Sequence, residues 1–245
     1  MAVNKVVASF DEAVADIPDG AVIGVSNFAG IVMTPQNLVQ AVARKSAKNL
    51  TIVTFFGGLG VKIREFLSSL LGEEKASQRW YIDGAVLVEQ GLVRKLISSF
   101  PFAPGVDAVK KEWEAGRLLA EELPHGTLAV RLWAAAAGVG GVYVRTGVGT
   151  VVEEGKEKRV LDGEEHILER PLKLEFALIR AYKADRYGNL IYRGVSRGVS
   201  ALMAKAASIT IAEVDEVVEP GELDPENIIT PGIYVHRVVQ IPKES

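Results

Sequence analysis

The chain has 245 residues, 48% of them hydrophobic and 24% charged, with a formal net charge of -3 and a pI near 5.8. That balance supports a sizeable core and excludes the basic field that nucleic acid or an anionic membrane surface would require. Cysteine is absent, which excludes disulfides, thiolate metal sites and cysteine nucleophiles.

In chain order, MAVNKVVASFDEAVADI lacks the apolar centre of a signal peptide, and no later run approaches the ~18 apolar residues of a membrane span. A cytoplasmic location is therefore expected. Ser9 reads as the cap of a short helix with Phe10, Ala13, Val14 and Ile17 on one side. Asp19-Gly20 turns the chain into the strand AVIGV. Thr34-Pro35 reads as N-cap and first residue of the helix QNLVQAVARK, ended by Asn49, and LTIVT is a second continuous apolar strand. Strand, helix and strand in this order predict a βαβ unit and a parallel sheet buried on both faces.

Helical 61–71, strand-like 94–100 and a charged helix over 106–123 follow, the last with Val109, Trp113 and Leu119 as its apolar anchors. An alanine-rich helix spans 127–137. After about 150 the pattern turns to strands joined at Glu-Gly and Asp-Gly. A helix near 198–207 then leads into the strand SITIAEV (208–214), an acidic loop and the closing strand GIYVHRVVQI. The expected fold is α/β: an open parallel-type sheet with helices on both faces and a β-rich C-terminal half, in one domain over 1–245.

The polar residues do not assemble a complete catalytic set. Gly57-Gly58-Leu59-Gly60 follows a strand, where backbone amides can cradle phosphate, but it lacks G-x-G-x-x-G spacing and reads better as a tight turn. Gly138, Gly140, Gly141, Gly147 and Gly149 fit neither a Walker A loop nor a dinucleotide fingerprint. The three histidines, His125, His166 and His236, have no metal-ligand spacing, so no metal is expected. His166 reads as a solvated residue of an acidic hairpin and His236 as structural. His125 stands apart between Pro124, which fixes the turn before it, and Gly126. It is either a helix-start residue or a functional one. Glu89 in VLVEQGLV reads as an acid at a turn, and the acids between Asp215 and Glu226 as a solvated face. Ser26 in GVSNF has no G-x-S-x-G elbow around it.

The segment PHGTLAVRLWAAAAGVGGVYVRTGVGTVVEEGKE resembles the alpha subunit of family I coenzyme A transferases, whose pattern there begins P-Q-G-T-L and ends T-G-x-G-T. The resemblance continues through KADRYGNL, matching A-D-x-x-G-N-L, and through GELDPE and TPGIYV. IPDGAVIGVSNFAGIVMTP is similar to the family's opening D-G-x-x-[apolar]-G-G-F-x-x-x-G-x-P. Together these cover nearly the whole chain.

The resemblance implies an alpha subunit of a 3-oxoacid-type transferase in ketone body or fatty acid metabolism. It would be completed by a beta subunit in a heterodimer or heterotetramer, with coenzyme A thioester as substrate and no bound cofactor. The attacking glutamate of such enzymes lies on the beta chain in an S-E-N-G type motif, which this sequence lacks. His125 takes the place of the family's oxyanion-donating Gln and is the expected catalytic residue. Ser26, Asn27, Phe28, Ala29 and Gly30, with Phe55, Phe56, Gly57 and Gly58, are expected to bind substrate.

The departures cluster at that pocket. The family's G-G-F is Ser26-Asn27-Phe28, with one residue inserted before Pro35. Its S-N-N-A-G is Thr54-Phe55-Phe56-Gly57-Gly58, and its R-N-F-N is Arg197-Gly198-Val199-Ser200. Exchanging amides for phenylalanines implies an acyl substrate larger or more apolar than acetate, succinate or acetoacetate. The alternatives are a thioester hydrolase on the same scaffold and a catalytically degenerate binding subunit. A stand-alone enzyme built on Glu89 ranks last.

Overall fold

The computed structural model describes residues 3–27, 34–58, 68–69, 82–102 and 107–242. The expected helix over 61–71 lies outside the described residues except for Ser68 and Ser69. A first helix, α1 (Phe10–Ala13), precedes strand β1 (Val22–Val25). The chain continues through α2 (Gln36–Lys45), β2 (Leu50–Thr54), α3 (Ala85–Glu89) and β3 (Val93–Ser98). After α4 (Asp107–Glu114) and β4 (Leu119–Glu122), the alanine-rich helix is α5 (His125–Ala137). Then come β5 (Val142–Val144), β6 (Lys158–Leu161), β7 (Glu164–Glu169) and β8 (Leu174–Asp185). The last elements are β9 (Leu190–Ile191), α6 (Ser200–Ala206), β10 (Ala207–Val218) and β11 (Arg237–Gln240).

Seven of these strands form one parallel sheet in the order β11-β10-β8-β1-β2-β3-β4, and β9 pairs antiparallel with the far end of β8. β5, β7 and β6 form a separate antiparallel sheet. Alternate residues of each central strand feed two cores. Ile23, Val25, Ile52 and Leu178 pack with α1 to α4 on one face. Val53, Ile97, Ala177 and Ile179 pack with α5 and α6 on the other. This is why AVIGV and LTIVT read as unbroken apolar runs. Gly24 interrupts the first because a Cβ there would come within 2.5 Å of Leu174 Cδ1 and 3.5 Å of Met203 Sδ.

The local chemistry of several elements follows the sequence. Ser9 Oγ accepts the Glu12 amide at 3.1 Å, and Glu12 Oε2 accepts the Ala8 amide at 3.0 Å. Asp162 and Gly163 take φ of 50° and 81° in the β6–β7 hairpin, the left-handed pair that a two-residue turn needs.

Elsewhere the structure corrects the expectation. Pro35, not Thr34, stands at the N-cap of α2, and Ser46 at φ 58° closes that helix three residues before Asn49. The helix expected over 106–123 ends at Glu114. Gly116 takes φ 70°, and the chain then enters the edge strand β4. Glu121 and Glu122 charge that strand, and without alternation it did not read as β. Of the three expected anchors only Val109 is buried. Trp113 is 47% exposed against Phe102, and Leu119 is 56% exposed on β4. The closing segment is a 3-10 turn over Gly232–Tyr234 before β11, and His236 immediately precedes that strand. Glu89 is the exposed last residue of α3 rather than part of a strand-to-strand turn.

Candidate functional site

In a parallel sheet every strand presents its carboxyl end on the same edge. Here the strand order runs one way from β1 through β2, β3 and β4 and the other way through β8, β10 and β11. Open α/β sheets bind their ligands along the carboxyl edge at such a reversal. Ser26 and Asn27 follow β1, Phe55 to Gly58 follow β2, Ser99 follows β3, and Pro124-His125 follow β4. The fold therefore gathers the described residues of the expected site onto one edge. Phe28, Ala29 and Gly30 lie outside the described residues.

His125 is the first residue of α5, half-buried, with Pro124 in extended conformation before it and no side chain capping the helix. Its ring is held by two neighbouring strand ends. Ser99 Oγ lies 3.0 Å from Nδ1, and the Phe55 ring meets the imidazole edge-on with centroids 4.7 Å apart. Phe100 stands farther out at 6.3 Å. Phe55 is 2% exposed, so it is packed as a wall behind the imidazole. The expected open lining by two phenylalanines is thus corrected in part: Phe55 supports the histidine, while Phe56 is half-buried against the other core.

The loops after β1 and β2 are locked by one carboxamide. Asn27 Nδ2 donates to the Phe56 carbonyl at 2.7 Å. Asn27 Oδ1 accepts from Thr54 Oγ1 at 2.6 Å and from the Phe56 amide at 3.1 Å. Asn27 and Thr54 are 3% and 1% exposed, so these bonds offset desolvation that would otherwise be unfavourable. Gly57 donates its amide to the Phe100 carbonyl at 3.0 Å. Gly58 takes φ 98° over the buried Asp83 carboxylate, where a Cβ would collide. The glycine pair is a close-packed turn, as the spacing suggested.

Residues that the sequence did not flag hold this edge from below. Glu213 of β10 is fully buried, and its carboxylate accepts from the Asn37 amide (2.9 Å), Asn37 Nδ2 (3.0 Å), the Leu38 amide (3.1 Å) and Arg180 Nη1 (2.7 Å). It supplies the cap that Pro35 cannot, at the positive end of α2. Burial pushes its carboxyl above the usual range, opposed by the Arg180 guanidinium and the donors around it. Arg180 also pairs with Asp215 and donates its amide to Ser26 Oγ at 3.3 Å. The only sequence signal was an acid inside the apolar run SITIAEV.

The other two histidines are apart from this edge. His166 sits on β7 with Nδ1 2.9 Å from the Glu164 carbonyl. His236 accepts the Thr210 amide on Nδ1 at 3.1 Å, and burial beside Lys5 and Arg237 lowers its pKa. Among the described residues no three His, Asp or Glu side chains converge as metal ligands, and no helix is long and apolar enough to cross a membrane.

Residues 7–240 match the family model for Coenzyme A transferase. The chain is 40% identical over 239 residues to the alpha-type subunit of 3-oxoadipate CoA-transferase from Acinetobacter baylyi, covering 98% of this chain and 96% of that one. It is 35% identical to the corresponding subunit of succinyl-CoA:3-ketoacid coenzyme A transferase from Helicobacter pylori, with 96% and 91% covered. Among solved structures, the acyl-CoA transferase YdiF of Escherichia coli O157:H7 superposes with a TM-score of 0.79 at 23% identity. That match covers 99% of this chain but only 48% of YdiF, so the chain spans about half of that protein. Glutaconate coenzyme A-transferase of Acidaminococcus fermentans gives 0.76 at 21% identity, covering 97% and 76%. With the family motifs folded into one sheet and matched along nearly their full length, this chain belongs to the coenzyme A transferase family and is an alpha-type subunit of that enzyme class.

Proposed function

We propose that this chain is one half of an active site that moves coenzyme A between an acyl thioester and the carboxylate of a 3-oxo acid. The other half, with the attacking glutamate, is a beta subunit in a heterodimer or heterotetramer working in the cytoplasm on oxo-acid metabolism. The observation that carries this reading is His125, fixed by Ser99 and Phe55 at the carboxyl edge where Pro-Gln-Gly-Thr stands in the resembling family. The names of the relatives, a 3-oxoadipate and a succinyl-CoA:3-ketoacid transferase, support the substrate class. Residues 1–245 would act as one unit.

In this reading the partner's glutamate oxygen attacks the thioester carbonyl and its π electrons move onto oxygen. The tetrahedral oxyanion collapses to an acyl-glutamyl anhydride as the CoA thiolate leaves. The thiolate then attacks the glutamyl carbonyl, which releases the first acid and leaves a glutamyl-CoA thioester. The acceptor acid runs the two steps in reverse. His125 donates an N–H to the oxyanion in each tetrahedral state, while Ser26, Asn27 and the turn through Gly57-Gly58 shape the acyl pocket beside it.

The test uses the chain co-expressed with its beta subunit. CoA transfer from succinyl-CoA is measured to 3-oxoadipate, to acetoacetate and to longer, more apolar 3-oxo acids. His125→Ala is expected to lower kcat about 10²–10³-fold, the effect of removing one oxyanion donor. His125→Gln keeps a donor and is expected to retain most activity. Mass spectrometry of the trapped thioester should place it on the beta chain. An imidazole in place of an amide also favours a second reading, hydrolysis, because a neutral ring nitrogen can take a proton from water. Thioester loss without any acceptor acid identifies that case. An unchanged rate in His125→Ala would leave the chain as a binding subunit.

A further inference from the structure

We infer that Ser99 is a positioning residue that sets the tautomer of His125, holding its proton on Nε2. The inference rests on the proposed donor role of His125. Its geometry comes from three adjacent strands. Ser98 pairs with Thr54 of β2 on one side and Glu122 of β4 on the other. The Leu123 amide then donates to the Ser98 carbonyl at 3.0 Å, so the chains leaving β3 and β4 stay side by side for one more step. That step brings residue 99 against residue 125.

The neighbouring hydroxyl is already committed, since Ser98 Oγ accepts the Phe100 amide at 3.2 Å. Ser99 Oγ, on a residue 6% exposed, lies 3.0 Å from His125 Nδ1. A hydroxyl donating to Nδ1 leaves that nitrogen as an acceptor and forces the proton of the neutral ring onto Nε2. The edge-on Phe55 ring, 4.7 Å away, fixes the plane in which Nε2 points. An oxyanion donor must be in place before charge develops. An amide side chain carries its donor permanently, whereas an imidazole can lose it to the wrong nitrogen. The serine supplies what the exchange of an amide for an imidazole takes away.

The experiment uses the reconstituted complex with ¹⁵N-histidine in this chain only. In the wild type, His125 is expected as the Nε2–H form, with Nδ1 resonating as an unprotonated nitrogen. Ser99→Ala is expected to give a mixture of both tautomers and to lower kcat about five- to twenty-fold, with KM for both substrates unchanged within two-fold. In a His125→Ala background, Ser99→Ala should cost nothing further. If His125→Ala is slow but Ser99→Ala keeps the Nε2–H form and the wild-type kcat, Ser99 has no such role. An equal loss from Ser99→Ala in both backgrounds also overturns it. If His125→Ala is itself fully active, the donor role of His125 falls instead, while the nitrogen shifts still report on the tautomer.

Discussion

On the β8–β11 side of the sheet, the motifs shared with relatives resolve into bonds among the protein's own groups. Asp185 Oδ1 accepts the Tyr187 amide at 3.0 Å and the Asn189 amide at 2.9 Å, and Oδ2 accepts Asn189 Nδ2 at 2.7 Å. Asn189 Oδ1 then takes the Gly232 amide at 2.8 Å, so A-D-x-x-G-N-L is fastened to T-P-G-I-Y-V. Gly232 is required there because a Cβ would strike the Tyr187 carbonyl. On the β1–β4 side the strand ends carry the substitutions: Asn27, Thr54, Phe55 and His125. The motifs that identify the family thus specify scaffold, whereas the residues that decide its chemistry are the ones that vary.

That contrast can be broken by substitutions on each side. The largest effect is expected at the residue joining them. Glu213→Ala leaves Arg180 and the start of α2 without their carboxylate, and should lower stability by about 3–5 kcal/mol in urea titration, as for other broken buried pairs. Asp185→Ala leaves three donors without an acceptor and should cost about 2–3 kcal/mol, a fall of roughly 4–12 °C in Tm, with kcat unchanged below the transition. Thr54→Val reverses that pattern. It removes the 2.6 Å bond to Asn27 but little volume, so stability should drop by only about 1 kcal/mol while activity falls several-fold. If Thr54→Val left activity intact, the division between scaffold and site would not hold.

The smallest expected effect is a pH dependence on the scaffold side. His236 has a native pKa below its unfolded value near 6.5. The unfolded chain therefore binds the proton more tightly. The contribution is fully present above about pH 6.5 and is lost as pH falls below it toward the lower native value. Protonating Nδ1 also removes the acceptor of the Thr210 amide. Urea midpoints between pH 7.5 and 5 should show a shallow decline that is reduced in His236→Gln. An unchanged slope in that variant would assign the decline to other groups.

Much of the scaffold was legible because burial on both faces imposes an unmistakable pattern. AVIGV and LTIVT could only be interior parallel strands, and Asp162-Gly163 could only be a tight hairpin turn. The charged edge strand β4 was not legible, because one open edge and two glutamates erase the alternation that marks a strand. At the site, the resemblance picked out His125 and the loops after β1 and β2, and the fold brings their described residues together. Ser99, Arg180 and Glu213 were missed for a common reason. Each acts on a residue at least 26 positions away in the chain, so nothing local marks it.

The Asn27 carboxamide has a practical corollary for anyone recombining this protein with its relatives. Because one planar group satisfies both the carbonyl and the amide of Phe56 as well as the Thr54 hydroxyl, the two crossover segments form a lock and its key. Transplanting either segment alone would strand buried polar atoms on the other. Chimeras should therefore inherit residues 26–27 and 54–58 from a single parent.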